Sequence, residues 1–128
     1  MALTVIDFEK YRKLLHSYDF IECSGKVSKV VGLTIESDGP EANIGELCRI
    51  ISARDRKGIE AEVVGFKDNK VLLMPLGDMG GIGPGSTVVS TGSFLRVKVG
   101  NSLTGRVLDG LGNPIDGKGD IESDIYYP

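Results

Sequence analysis

Two hydrophobic periods divide this chain. Between residues 5 and 18, Phe8, Tyr11, Leu15 and Tyr18 recur at i, i+3, i+7 and i+10; Leu14 widens the stripe, and Lys10, Arg12 and Lys13 lie mostly off it. That spacing predicts one amphipathic helix over residues 5–18, with Thr4 or Asp7 placed to cap its first turn. A helix of this length is marginal in water on its own. Its stripe therefore needs a surface, and the sequence leaves two open: the rest of its own domain, or a partner.

From about residue 22 the period falls from 3.6 to 2. Val27, Val31, Leu33 and Ile35 predict a long first strand with bends or bulges at Gly25 and Gly32. Asp38-Gly39-Pro40 reads as a turn, residues 47–51 as a second strand, and residues 60–66 as a third beyond the charged turn Arg54-Asp55-Arg56-Lys57-Gly58. Lys67-Asp68-Asn69-Lys70 predicts a hairpin into Val71-Leu72-Leu73-Met74, an apolar run expected to be buried on both faces. After a glycine-rich loop over residues 77–85 come a fifth strand at 87–90 and a sixth at 95–99. In the sixth, Leu95, Val97 and Val99 point in and Arg96 and Lys98 out. Six short strands with glycine corners predict an all-β fold: a small closed antiparallel barrel, filled by side chains, with one N-terminal helix. Closure removes the edges that an open sheet would leave exposed. A barrel too narrow for a ligand must act through its outside or its ends.

Composition supports the corners and narrows the chemistry. The 128 residues include 18 glycines, about twice the usual share, and no tryptophan. The net charge of −3 offers no attraction to nucleic acid or to an acidic membrane. Single-strand binding also needs aromatic platforms, and the barrel region holds only Phe66 and Phe94, with Phe20 at its entrance. Cys23 and Cys48 are too few for a disulfide scaffold and read as two reduced, buried thiols. Asp7 and Glu9 stand where a signal peptide would need an apolar run, so a cytoplasmic setting is expected.

One motif imitates a nucleotide site. Residues 112–119 fit G-x-x-x-x-G-K-x, the spacing of a phosphate-binding loop, but Gly119 stands where Ser or Thr should hold magnesium. Pro114 removes an amide donor, Asp116 places a carboxylate where phosphate oxygens would lie, and residues 120–128 cannot supply the helix that should follow. The reading is a turn, with no nucleotide or metal bound. His16 has no Cys or acid cluster beside it, and Glu60 and Glu62 share the polar face of a strand. No catalytic residue is expected.

Several stretches in order carry a family resemblance: Gly39-Pro40-Glu41-Ala42-Asn43-Ile44-Gly45-Glu46-Leu47-Cys48, Glu60-Ala61-Glu62-Val63-Val64-Gly65-Phe66, Leu73-Met74-Pro75-Leu76-Gly77-Asp78, Gly81-Ile82-Gly83-Pro84-Gly85 and the glycine-dense run 105–119. Together they resemble the N-terminal portion of the type III secretion ATPases, relatives of the rotary ATP synthase catalytic subunits. The flagellum-specific members look nearest, and the injectisome members share the same motifs. The resemblance implies a helical docking segment at 1–20, a barrel domain at 21–99 and the start of an α/β nucleotide-binding domain at 100–128, the chain being a piece of a longer ATPase. It implies ATP and magnesium as cofactors of that parent and none here. It also implies a homo-hexamer and a regulatory, stator-like protein docked through Phe8, Tyr11, Leu15 and Tyr18. Arg54, Arg56 and Lys57 are expected at a subunit contact. Export substrates and chaperones, and peripheral attachment to the membrane export gate, complete the implied setting.

Overall fold

The structure is a computed structural model describing residues 8–17, 22–54 and 56–128. Short-range turn chemistry sets most of its corners. Asp68 and Asn69 both take left-handed backbone angles (φ 50° and 61°), the pairing a two-residue hairpin needs to match strand twist, and they join β4 (Gly58–Lys67) to β5 (Lys70–Pro75). Gly32 (φ 60°) does the same between β1 (Ser24–Val31) and β2 (Thr34–Asp38). With β3 (Glu46–Ile51) and β6 (Thr87–Phe94) these strands close an antiparallel barrel in the order β1-β2-β5-β4-β3-β6. Closure is made by Ser24, Gly25 and Lys26 of β1 against Val89, Val88 and Thr87 of β6.

The interior is one aliphatic cluster. Val27, Ile35, Cys48, Ile50, Ala61, Val63, Val71, Leu73 and Val88 pack within it. Alternation puts Glu60 and Glu62 on the outside of β4 between buried Ala61 and Val63, as expected. The barrel is six-stranded, closed and filled with side chains.

Four expectations need correction. The long first strand is two strands, because Gly32 turns the chain within an apolar alternation that continues on the far side; Leu33 lies in that turn, 73% exposed. The expected sixth strand at 95–99 is not in the barrel. Only Val97–Lys98 is extended (β7), and it pairs with β8 (Tyr126–Tyr127) in a separate two-stranded sheet. The run 71–74 is buried on one face only: Val71 and Leu73 point in, and Met74 is 48% exposed. Cys23 is exposed; only Cys48 is buried, where loss of water and the nearby Glu46 carboxylate push its thiol up to about 11.

The helix α1 spans Phe8–Ser17. The expected ends of that element, with Thr4, Asp7 and Tyr18, lie outside the described residues, as do Phe20 and Asp55.

Candidate functional site

The helix stripe is exposed at Phe8, Tyr11 and Leu15. Phe8 is 74%, Tyr11 56% and Leu15 62% exposed, and every side chain described on α1 is open to solvent. Glu9 and Arg12 stand 3.5 Å apart one turn on, and His16 is exposed, with no metal-ligand cluster around it among the described residues. Arg54, Arg56 and Lys57 lie together in the β3–β4 turn, all exposed, with Arg56 left-handed (φ 55°). The turn is closed by the Ser52 amide donating to the Lys57 carbonyl at 3.0 Å. Arg54 also lines a 280 Å³ hollow with the glycine-rich loop at Gly81 and Gly83. Three of the expected docking residues, Phe8, Tyr11 and Leu15, thus lie on α1, Tyr18 being outside the described residues, and Arg54, Arg56 and Lys57 lie in one turn of the barrel.

The glycine run 105–119 is a series of turns, several of whose amides donate to acceptors within the run. The Asp116 carboxylate accepts from Arg106 Nε at 2.8 Å, from Arg106 Nη2 at 3.1 Å, and from the amides of Val107 and Lys118 at 3.1 and 3.0 Å. The guanidinium bonds come first in holding its pKa well below the usual carboxylate range; the backbone bonds add to them. Asp109 does the same for the tip, accepting from the Leu111 and Asn113 amides at 2.9 and 2.8 Å. Asn113, chiefly through its side chain, lowers the Asp109 pKa. Lys118 Nζ turns back to the Gly105 carbonyl at 3.1 Å. No helix follows residue 119. ATP and magnesium do not fit these residues: the anion nest already holds the Asp116 carboxylate, and Gly119 stands where a hydroxyl would be needed. Among the described residues no group of His, Cys, Asp and Glu is arranged to hold a metal.

Two features escaped the sequence reading. One is Glu46, 5% exposed at the end of the barrel core. It accepts from the Ser90 hydroxyl, from the Gly92 amide at 3.2 Å and from the Asn43 amide at 3.0 Å, tying the loop before β3 to β6. The other is a cleft of about 550 Å³ between the barrel wall and the segment after β6, lined by Leu47, Phe94, Leu95, Leu111 and Tyr126 with Glu60 and Arg96. Its walls meet where β7 and β8 pair across 27 intervening positions, which no local pattern announces.

The fold is a small closed β-barrel module followed by a glycine-rich loop that folds around its own carboxylates. The profile of the ATP synthase alpha/beta family, beta-barrel domain, matches residues 27–92, from within β1 to within β6. The chain belongs to that family. It is 53% identical over 96 residues to the flagellum-specific ATP synthase of Bacillus subtilis (strain 168), covering 73% of this chain and 22% of the relative. It is 46% identical over 112 residues to the flagellum-specific ATP synthase of Treponema pallidum (strain Nichols), covering 88% and 25%. It is 43% identical over 104 residues to the type 3 secretion system ATPase of Sinorhizobium fredii (strain NBRC 101917 / NGR234), covering 81% and 23%. The chain spans about a quarter of the length of these curated relatives.

Proposed function

We propose that this chain is the N-terminal assembly and docking module of an ATPase that energises flagellar protein export. In this reading residues 1–20 dock a partner, 21–99 form the barrel and 100–128 lead into the nucleotide-binding domain. ATP hydrolysis with magnesium belongs to the whole protein, which would work as a cytoplasmic homo-hexamer at the export apparatus. The barrels would hold neighbouring subunits in register, with Arg54, Arg56 and Lys57 at the contact. The regulatory, stator-like protein would bind α1 through Phe8, Tyr11 and Leu15, joined by Tyr18. The flagellar reading is preferred over the injectisome one because the relative at 53% identity is flagellum-specific.

The observation that carries the docking role is the apolar stripe left open on an otherwise charged helix. Buried apolar anchors of this kind dominate helix-in-groove binding. Purified regulatory protein should be retained by the immobilised chain, and retention should fall at least about tenfold when Phe8, Tyr11 and Leu15 are all changed to Ala, since each large anchor contributes about 1–2 kcal/mol. Undiminished retention by the triple variant refutes the assignment.

A further inference from the structure

β6 does not meet β3 in a regular ladder. Ser90 pairs with Cys48, but the next partnered residue of β3, Glu46, lies opposite Phe94. Leu47 alone on β3 therefore spans Thr91, Gly92 and Ser93 on β6, a bulge of three residues against one. Gly92 supplies the bend with a left-handed backbone (φ 64°). The Thr91 hydroxyl donates to the Leu47 carbonyl at 2.6 Å, and the Phe94 ring is carried over Gly45, 3.5 Å from where a Cβ there would stand.

Hydrophobic patterning does not choose this register. The regular pairing that sets Val88 against Ile50 and Ser90 against Cys48 would next set Gly92 against Glu46. A slip of two residues leaves every side chain on its own face of the sheet, where a slip of one would invert them all. The choice falls to polar groups. The buried Glu46 carboxylate accepts from the Ser90 hydroxyl, from the Gly92 amide at 3.2 Å, and from the Asn43 amide and side chain at 3.0 and 3.4 Å. In a straight strand the Gly92 amide would lie in the plane of the sheet, turned away from a carboxylate on its inner face. Bonds to a charged acceptor are roughly twice as strong as neutral ones, so the bulge keeps what the straight ladder would lose.

We propose that the charge on Glu46 selects the register of β6 where the chain leaves the barrel. As a carboxylate it holds the bulge. A neutral amide at position 46 lets the strand run straight, bringing Gly92 opposite that position and carrying Phe94 forward by two residues, ~7 Å. Glu46 is thus a positioning residue: Phe94 ends β6, and the chain that leads to β7 starts from it. The inference stands apart from the docking and subunit-contact readings above and uses neither.

Cross-strand proton contacts in the isotope-labelled full chain at neutral pH test it. Wild type should show Phe94 against position 46 and the Phe94 ring against Gly45. In Glu46→Gln the first contact should pass to Gly92 and the second should be lost. Ser52→Ala truncates a buried serine that donates to the Gly81 carbonyl at the opposite end of the barrel, and it should leave both contacts as in wild type. A folded Glu46→Gln chain with Phe94 still opposite position 46 overturns the proposal. So does the same slip in Ser52→Ala, which would make it a consequence of lowered stability alone. Should Glu46→Gln fail to fold, Ser90→Ala decides, because it removes one donor and leaves the charge in place. The Gly92 amide should then exchange with deuterium at least about tenfold faster, relative to the Val88 amide, than in wild type, the loss expected when a bond to a charged group is removed. Taking the ratio to Val88 sets aside any change in global stability, and an unchanged ratio overturns the proposal.

Discussion

Glu46 is buried beside a mainly aliphatic core. Burial pushes its pKa up, but the bonds from Ser90, Asn43 and Gly92 together outweigh that and hold it below the ordinary 4.5. A carboxylate whose folded pKa is depressed adds stability above its unfolded pKa and loses it as pH falls through the folded value. Glu46→Gln keeps the shape but turns its NH2 donor toward amides that need an acceptor. Urea unfolding at pH 7 should show a loss of about 2 kcal/mol, the range for hydrogen bonds to a charged group. The gap between variant and wild type should narrow as pH drops below 4.5, where the acid itself becomes protonated. A gap that is constant with pH would mean the charge contributes nothing.

At the scale of elements, glycine decides how closely two segments meet. A Cβ on Gly25 would lie 2.2 Å from the Gly39 backbone, where β1 crosses the end of β2. Backbone cannot move aside as a flexible side chain can, so Gly25→Ala should cost about 3 kcal/mol or more and lower the thermal midpoint by at least about 8 °C. An alanine variant melting within a degree of wild type would contradict the close crossing. The hairpin at Asp68 and Asn69 was legible because its chemistry is local. The turn at Gly32 was not, since Val27 to Ile35 keep an apolar rhythm through it and one glycine reads equally as a bulge. The alternation from Leu95 to Val99 was real but misplaced: period 2 reports a strand and is silent about its partner, which here is Tyr126 and Tyr127. These two errors offset, so the strand count came out at six for a reason the sequence did not contain.

For the whole molecule, the turn at 105–119 was readable from side-chain chemistry. Asp116, Pro114 and Gly119 argue against a phosphate loop from their chemistry alone, and the Asp116 carboxylate does accept from the Val107 and Lys118 amides. The helix stripe was readable as well, from Phe8, Tyr11 and Leu15. The cleft was not, because Leu47, Phe94, Leu111 and Tyr126 meet only through tertiary pairing. Both surfaces matter only if the chain works through contacts and leaves nucleotide chemistry to other residues. The most direct measurement titrates magnesium-ATP into the isotope-labelled chain and follows the backbone amides of Val107 and Lys118. The account predicts no saturable shift up to millimolar nucleotide. A saturable shift at both amides that disappears with Lys118→Ala would contradict it.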